Sequence, residues 1–361
     1  MRLDDFHSRR TFRKTGEPSE DAQGYFHQFQ QVLKDRSFLP PFWLRGARWQ
    51  TLVGSLLKRD FSWGWKYSQE HFVDLECGTR VLLVGIWLDP RLPTVVVVHG
   101  TGGSSDSTYM KGLSHKAHRE GWNAVLPNLY DTNPVFERPR VFHSGSSREV
   151  GEMLQQLILR HQAEEIYLVG VSMGANILLK LLGEWGRSHP VQVKAAAVIS
   201  PLLDLNASWK ILEKPSNCIF QHHMVTNLKR RVQGLSSLEG FVDKEALSRA
   251  RTFRQFDELY TAPLAGFRDA LEYYEKASAL PHLKNIHLPT LLLHALDDPF
   301  LPAEPFQAPE IDSNPSLGVV LTRQGGHVGF IEKDGQGDVD RFWAENRVID
   351  FFRLVSSPDH A

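Results

Sequence analysis

The sequence contains little cysteine, almost no net charge and no long apolar run. Its two cysteines, Cys77 and Cys218, fit neither a disulfide framework nor a cysteine-rich metal site. The formal net charge is −1, so there is no basic excess of the kind that nucleic-acid binding needs. No stretch approaches the roughly 18 continuous apolar residues of a membrane span, and the N-terminus lacks the apolar core of a signal peptide. We therefore expect a cytoplasmic protein with reduced thiols, no metal site and no nucleic-acid partner.

What is present is an alternation of strand and helix patterns from about residue 94 to residue 200. Residues 95–98 and 195–199 are short apolar runs, typical of strands buried on both faces. Helical patterns over residues 108–120 and 147–162 lie between them. This alternation is typical of βαβ units. It predicts an α/β fold with a mostly parallel sheet and helices on both faces.

The order of these segments predicts how the chain is divided. Residues 1–22 are polar and charged, and we expect them to be poorly ordered. Residues 23–66 are predicted to form an extension that packs on a core made of residues 67–200 and 288–361. Residues 201–287 show helical patterns and no obvious core strand. Because connections between sheet strands are ordinarily much shorter, we interpret them as a helical cap inserted into the core.

The extension is unusually rich in aromatic residues. Residues 38–52 combine them with two prolines and with leucine. The tryptophans of the extension are Trp43, Trp49, Trp63 and Trp65. We favour the interpretation that this segment packs along the main domain. The alternative is a surface that contacts lipid or frames a substrate entrance, for which amphipathic indole rings are suited.

One short motif carries the strongest functional signal. Residues 166–171 have the composition of a buried strand, the next residues read Gly170-x-Ser172-x-Gly174, and a helical pattern follows. Strand, sharp turn and helix are the context of a nucleophile elbow, in which a serine hydroxyl stands at the apex of the turn. A Cβ two residues to either side would collide with a neighbouring strand or helix, which explains the glycines. Ser172 is therefore the candidate nucleophile.

A serine nucleophile needs a general base, and the base needs a group that fixes its tautomer. His327 follows the last predicted strand in a loop that begins Gly325-Gly326, so it is the candidate base. His294 lies within a predicted strand and is expected to be a packed core residue. The remaining histidines considered are expected to lie at the surface: His115, His118, His222 and His223.

The acid is expected in a loop just after a strand, because ligands of open α/β sheets bind at the carboxyl ends of the strands. Asp297 and Asp298 both meet this condition, and the local sequence does not choose between them. Pro299 restricts its preceding residue to extended conformations, which suits a carboxylate held at a strand end. Asp204 is a less favoured candidate.

The developing negative charge of an acyl-transfer reaction needs backbone N–H donors. One donor is expected at Met173, directly after Ser172 and at a helix N-terminus. The other is expected at Thr101, in the glycine-rich loop after residues 94–98. That loop contains neither the lysine of a P-loop nor the spacing of a dinucleotide-binding loop, so a nucleotide cofactor is not expected.

Together these motifs resemble the α/β-hydrolase superfamily, in the group of YheT-like proteins and eukaryotic abhydrolase-domain lipases. The resemblance covers residues 38–354 and rests on Pro-Pro-Phe-Trp-Leu-Arg, Trp-Gln-Thr-Leu, His-Gly, Gly-Val-Ser-Met-Gly-Ala-Asn, Asp-Asp-Pro-Phe and Gly-Gly-His-Val-Gly-Phe. It implies an α/β-hydrolase fold, a Ser172–Asp298–His327 triad and esterase or lipase activity on a small-molecule ester or lipid, with no cofactor.

Two other functions stay open on the same sequence. An acyltransferase would use the same triad, with an alcohol in place of water. A non-catalytic scaffold or lipid-binding protein is less favoured, because competent residues occupy all three triad positions. Peripheral contact with a membrane is considered as well, through the aromatic extension.

Overall fold

The computed structural model describes most of the chain. The described residues are 20–57, 59, 61, 68–129, 141–233, 240–333 and 337–356. Of the segment expected to be poorly ordered, residues 1–22, residues 1–19 lie outside the described residues. Trp63 and Trp65 lie outside them as well.

A single eight-stranded sheet runs through the described residues. Its strands are β1 (Gln69–Asp74), β2 (Arg80–Ile86), β3 (Thr94–Val98), β4 (Asn123–Asn128), β5 (Ile166–Val171), β6 (Val193–Ile199), β7 (Thr290–Ala295) and β8 (Leu317–Thr322). Their order in the sheet is β1-β2-β4-β3-β5-β6-β7-β8. The β1–β2 and β2–β4 pairs are antiparallel, and every pair from β4 to β8 is parallel. The predicted mostly parallel sheet is therefore confirmed.

Helices cover both faces of this sheet. The α-helices are α1 (Glu20–Asp35), α2 (Ala47–Leu56), α3 (Thr108–Arg119), α4 (Ser147–His161), α5 (Met173–Trp185), α6 (Leu205–Leu212), α7 (Cys218–Gln233), α8 (Lys244–Arg249), α9 (Phe253–Phe256), α10 (Ala262–Ala265), α11 (Ala270–Ala277), α12 (Pro309–Asp312) and α13 (Trp343–Ser356). Shorter 3₁₀ and π turns occur at Phe42–Leu44, Gly186–Ser188, Pro215–Asn217, Asp257–Thr261, Leu280–Asn285 and Glu304–Gln307. Apolar side chains of α1, α3 and α13 pack on one face of the sheet, and those of α4 and α5 pack on the other.

The parallel strands bring several loops to one edge of the sheet. The register pairs Val98 with Gly170 and Gly170 with Val198, so β3, β5 and β6 end side by side. Farther along the sheet, Ala295 at the end of β7 pairs with Thr322 at the end of β8. Because carboxyl ends of parallel strands share an edge, the loops after these five strands meet there.

The described residues between β6 and β7 are mostly helical and form two small apolar clusters of their own. One is built around Tyr273 and Tyr274, and the other around Val225, Phe256 and Tyr260. The two ends of the segment pack in the main core instead, through Leu203 at the start and through Leu283 and Ile286 at the end.

Asn176 in α5 joins the end of this helical segment to the core. Its amide Nδ2 donates to the carbonyl oxygens of Ser144 and Ala277, both at 2.7 Å, and its Oδ1 accepts from the N–H of Ala279 at 2.8 Å. The side chain is fully buried. A buried amide with all these bonds made is costly to replace, which accounts for asparagine at this place in the elbow motif.

None of the helices in the described part of the chain combines the length and the apolar character that a membrane crossing requires.

Candidate active site

Ser172 stands on a strained turn between β5 and α5. Its backbone angles are φ +55° and ψ −116°, a conformation that non-glycine residues rarely adopt. A Cβ on Gly174 would lie 2.3 Å from the carbonyl oxygen of Val98, and one on Gly170 would lie 2.6 Å from the Cα of Ala175. Both glycines are therefore required by close backbone contacts. The turn lifts the Ser172 hydroxyl out of the sheet edge.

Three of the residues singled out from the sequence lie in one hydrogen-bonded chain. His327 Nε2 is 3.0 Å from Ser172 Oγ, and His327 Nδ1 is 2.8 Å from Asp298 Oδ2. The ionised carboxylate can only accept a hydrogen bond, so Nδ1 donates to it. Nε2 is then left unprotonated and accepts from the serine hydroxyl, which is the tautomer that a general base needs.

Asp298 is buried and holds its orientation through the backbone of its own turn. Its Oδ1 accepts from the N–H groups of Phe300 at 2.9 Å and Leu301 at 3.0 Å, which leaves Oδ2 for His327. Burial alone would raise the pKa of Asp298. Electrostatic attraction to His327, the hydrogen bond from its imidazole and the N–H of Phe300 outweigh it and hold the pKa of Asp298 below the ordinary value. Asp298 is thus a carboxylate in the folded protein.

The neighbouring Asp297 turns away from this chain. Its Oδ1 accepts from the N–H of Gly326 at 2.9 Å, so it braces the loop that carries His327. Burial raises the pKa of Asp297, and the hydrogen bond from Gly326 opposes that rise. The geometry gives the two aspartates different contacts, one with the imidazole and one with the backbone.

The loop of His327 rests on α2, a contact that the sequence did not reveal. Thr51 Oγ1 accepts from the N–H of His327 at 2.8 Å. The buried amide of Gln50 accepts from the N–H of Ile331 at 2.8 Å and donates to its carbonyl oxygen at 3.0 Å. A Cβ on Gly54 would lie 2.9 Å from the Cα of Gly329, so helix and loop meet backbone to backbone.

Backbone strain is concentrated around the same loop. Ser200, Val328 and Phe330 have φ values of +48°, +61° and +41°. The hydroxyl of Ser200 accepts from the N–H of Val328 at 3.1 Å, which ties the end of β6 to the histidine loop. Positive φ at non-glycine residues costs free energy, and here neighbouring contacts hold it in place.

The glycine-rich loop after β3 lies against Ser172. A Cβ on Gly100 would lie 3.0 Å from the Cβ of Ser172. His99 is buried and fixes the loop, because its Nε2 accepts from the N–H of Leu129 at 3.0 Å and its Nδ1 contacts the Gly100 carbonyl oxygen at 2.8 Å. Burial lowers the pKa of His99 to about 4, so the ring is neutral at pH 7.

Two backbone donors stand open at this place. Within the described part of the chain, neither the N–H of Thr101 nor that of Met173 donates to a protein acceptor. Met173 is the first residue of α5, where the helix dipole favours negative charge. Among the described residues, the two N–H groups expected from the sequence are therefore without a protein acceptor.

The other candidates from the sequence take structural positions. Asp204 is the N-cap of α6 and accepts from the N–H of Ala207 at 3.0 Å. His294 is fully buried in β7 and stacks on Phe306 at 4.3 Å between ring centroids, as predicted for a core residue. His222 and His223 are exposed, as predicted.

The remaining histidine pair differs from the prediction. His115 and His118 are half-buried rather than at the surface, because α3 is partly covered by other segments of the same chain. The ring of Phe61, for example, lies 6.3 Å from that of His115. Neither histidine pair takes part in a metal site: no group of three His, Cys, Asp or Glu side chains among the described residues is arranged to hold a metal ion.

A strained serine after a central strand, with histidine and aspartate from later strand ends, is the arrangement of an α/β-hydrolase. The chain belongs to the alpha/beta hydrolase family, whose profile matches residues 95–337. The fold and the family predicted from the sequence motifs are both confirmed.

Relatives with assigned names lie in the group expected from the sequence. The chain is 34% identical to the putative esterase YheT of Escherichia coli, over 72% of this chain and 76% of that protein. It is 30% identical to the medium-chain fatty acid ethyl ester synthase/esterase 2 of Saccharomyces cerevisiae, over 72% of this chain and 62% of that one. It is 29% identical to the human phospholipase ABHD3, over 66% of this chain and 59% of that protein. The matched region thus spans about three fifths of the yeast and human proteins.

Among solved structures, the Pyrococcus furiosus esterase Pf2001 superposes with a TM-score of 0.53. The superposition covers 88% of this chain and all of that one, at 14% sequence identity. At this identity the similarity supports the fold.

Proposed function

We propose that this chain is a serine hydrolase that cleaves carboxylic esters through Ser172, His327 and Asp298. At the level of class, it is a carboxylic ester hydrolase of the alpha/beta hydrolase family. The observation that carries the finer proposal is the continuous hydrogen-bonded chain from Asp298 to Ser172, with contacts of 2.8 and 3.0 Å. Its substrate is a small-molecule ester or a lipid. The cytoplasmic location expected from the sequence stays a prediction.

The proposed reaction has two halves. As Ser172 Oγ attacks the ester carbonyl carbon, His327 Nε2 takes the hydroxyl proton and the carbonyl oxygen becomes an oxyanion. When the intermediate collapses, His327 gives that proton to the departing alkoxide, and an acyl-enzyme remains. Water then attacks the acyl carbon while His327 Nε2 takes a proton from it. When the bond between the acyl carbon and Ser172 Oγ breaks, His327 returns that proton to Oγ, which releases the acid and restores Ser172.

The oxyanion is stabilised by the N–H groups of Met173 and Thr101. Donors aimed at the developing charge are usually the largest single contribution to catalysis of this kind, and removing one costs about 10²–10³ in kcat in a related case. Supporting this assignment, the Thr101 loop lies against Ser172 and its neighbour Gly100 is fixed by the neutral ring of His99.

Ser172→Ala is the direct test. We expect kcat for a p-nitrophenyl ester to fall by roughly 10⁴–10⁶-fold with an unchanged circular dichroism spectrum, because the nucleophile is lost and its side chain is small. A fluorophosphonate probe should label the wild type and not the variant. Exposed Ser188→Ala is the matched control and should retain activity and labelling. If Ser172→Ala keeps more than about a tenth of the wild-type rate, the assignment of the nucleophile is wrong. Failure of the probe to label the wild type would favour the non-catalytic lipid-binding alternative.

Acyl transfer to an alcohol is a second candidate, favoured by the name of the yeast relative, an ethyl ester synthase as well as an esterase. The same acyl-enzyme would be attacked by an alcohol oxygen, with His327 accepting the alcohol proton. Product analysis with ethanol added to the ester assay separates the two outcomes, since transfer yields the ethyl ester and hydrolysis yields the free acid.

A further inference from the structure

Exposed apolar side chains are concentrated in one short segment, residues 39–56. Among the described residues, six of the fourteen large apolar side chains that face solvent lie there. They are Leu39, Phe42, Trp43, Trp49, Leu52 and Leu56. Phe42 is 77% exposed and Trp49 is 61% exposed. Single exposed apolar residues are normal, whereas a contiguous cluster marks an interaction surface.

Helix α2 shows why this segment has an outer face of this kind. Its inner side is held by Gln50, Thr51 and Gly54, which contact the His327 loop. Trp49, Leu52 and Leu56 follow at intervals of three and four residues, so they form one stripe on the opposite side. The apolar residues of this stripe are therefore not a poorly packed core. They lie on the outside because the other side of the helix is already occupied.

Charge is segregated on the same surface. Helices α2 and α7 contain no acidic residue, although the whole chain carries a net charge of −1. The two are linked near the site, because Arg48 Nη2 donates to the carbonyl oxygen of Ser216 at 2.8 Å, just before α7. Arg45, Lys210 and Lys214 are also exposed there, with Glu213 as the single acidic residue between positions 205 and 233.

This surface borders the candidate active site. Ile219, at the start of α7, is 80% exposed. The next residue, Phe220, lies 5.2 Å from the ring of Phe300, and Phe300 lies 5.3 Å from the ring of His327. A row of three aromatic rings thus leads from the exposed start of α7 to the imidazole of His327, the proposed general base.

We propose that residues 39–56 and Ile219, here called the docking face, bind the surface of an anionic lipid bilayer. Tryptophan and phenylalanine rings enter the headgroup region and arginine side chains pair with lipid phosphates or carboxylates, which is the chemistry of an interfacial amphipathic helix. The inference goes beyond the proposed hydrolysis, because lipid binding would stand even if Ser172 were inert.

The charges argue against two other occupants. In a symmetric dimer the same patch would meet itself and bring Arg45 and Arg48 against their own copies. The N-terminal residues 1–19 carry five basic and three acidic residues, so they would not complement a basic face either. A bilayer with acidic headgroups satisfies both the apolar and the cationic parts of the surface.

The test is flotation with vesicles, using the Ser172→Ala chain so that turnover plays no part. Two vesicle types are compared: phosphatidylcholine alone, and equal parts of phosphatidylcholine and phosphatidylserine. We expect binding to the anionic vesicles to exceed binding to the neutral ones by on the order of tenfold or more. Adding Phe42→Ser and Trp49→Ser should weaken anionic-vesicle binding by at least about tenfold, because two interfacial rings are lost.

Matched controls carry the same chemistry elsewhere. Phe72→Ser with Leu159→Ser removes two exposed apolar side chains from β1 and α4 and should leave vesicle binding unchanged. Arg45→Glu with Lys214→Glu should abolish the preference for anionic vesicles. The control is Arg187→Glu with Lys194→Glu, which should preserve that preference. Arg187 lies before β6 and Lys194 near its start, at the opposite edge of the sheet. In the Ser172 background, Phe42→Ser with Trp49→Ser should hydrolyse a short soluble ester at the wild-type rate.

Three outcomes would overturn the proposal. The first is no binding to either vesicle type, and the second is equal loss of binding in the docking-face variant and in its control. The third is a wild-type chain that is dimeric in solution and becomes monomeric in the docking-face variant without any vesicle binding, which would assign the face to a second copy. Retained esterase activity in Ser172→Ala would overturn the proposed nucleophile but would leave each of these vesicle readouts unaffected, so the two proposals fail independently.

Discussion

Two buried polar clusters in this molecule hold their charges in different ways. Around the proposed triad the backbone is strained. Of the five non-glycine residues with positive φ in the described chain, four lie there: Ser172, Ser200, Val328 and Phe330. The second cluster lies under the start of α13 and joins Arg59 and Lys116 to Asp340 and Glu345, and none of these four has a positive φ. The comparison indicates that strain accompanies the candidate catalytic residues and not buried charge as such.

The ion cluster shows how buried charge is held without strain. Lys116 Nζ lies 2.7 Å from both Asp340 Oδ2 and Glu345 Oε2, and Arg59 lies 2.9 and 2.6 Å from the same two carboxylates. The Arg59 guanidinium also lies 3.7 Å from the ring centroid of Phe342. Burial would raise the pKa of Asp340, but Lys116 and Arg59 hold it below the ordinary value. Two cations and two anions therefore compensate one another.

The largest expected effect separates the two neighbouring aspartates of the strained cluster. Asp298→Asn should lower kcat on the order of 10⁴-fold, because the imidazole loses the acceptor that fixes its tautomer. Asp297→Asn should keep kcat within about tenfold, since its oxygen can still accept from Gly326. Parallel measurements of kcat and melting temperature check both. If Asp297→Asn abolishes turnover while Asp298→Asn does not, the acid has been assigned to the wrong residue.

The next largest effect is expected for a substitution in the ion cluster, which should change the free energy of unfolding and leave kcat unchanged. Lys116→Met should lower the free energy of unfolding by about 3 kcal/mol, because it leaves the buried Glu345 and the half-buried Asp340 facing one guanidinium. Lys276→Met breaks an exposed pair with Glu272 and should cost less than about 1 kcal/mol. Urea unfolding gives both values, and kcat of the folded enzyme should be unchanged. If Lys116→Met had normal stability and a lower kcat, the ion cluster would serve catalysis rather than stability, and this prediction would be wrong.

A smaller effect is expected at Thr51, which supports the strained loop from outside. Thr51→Val keeps the shape but removes the acceptor of the His327 N–H, so kcat should fall by up to about tenfold with KM nearly unchanged. Thr51→Ser retains the hydroxyl and should restore kcat. Equal losses in the valine and serine variants would show that packing at Thr51, not its hydrogen bond, matters.

The smallest expected effect concerns His294, buried below the site. Burial lowers the pKa of His294 from 6.5 to about 4, so between these pH values the unfolded chain binds a proton that the folded chain does not. The free energy of unfolding should therefore fall as the pH falls through this window. His294→Leu should make that slope shallower by about one proton, with stability at pH 7 changed by about 1 kcal/mol or less, because neither ring nitrogen has a hydrogen-bond partner among the described protein atoms. Parallel curves for the two proteins would contradict the assignment.

Local composition was enough to predict much of the fold. Residues 94–98 form β3 as expected, because a run of valines suits a strand buried on both faces. The last helix begins at Trp343, because Asp340 accepts from the N–H of Phe342 and turns the chain before the helix. Helix boundaries of this kind depend on single side-chain contacts that periodicity does not contain.

The site was predictable only where its residues lie next to a strand end. Ser172 and His327 stand in glycine-marked turns, and such turns leave a local pattern. The local sequence did not choose between Asp297 and Asp298, and only the family resemblance implied Asp298. The contacts that separate the two are with Gly326 and His327, which are distant in sequence. Thr51 lies 276 positions from His327, and no local pattern reports a hydrogen bond of that range.

The contact between Gly54 and Gly329 has a practical meaning for dividing this chain into parts. The family match begins at residue 95, yet the backbone on which the histidine loop rests belongs to residues 47–56. A fragment cut at the family boundary would contain every residue of the proposed triad and lack the helix on which the His327 loop rests. If this site is grafted onto another scaffold, α2 must therefore be included. Glycine must be kept at positions 54 and 329, because a Cβ on residue 54 would lie only 2.9 Å from the Cα of residue 329.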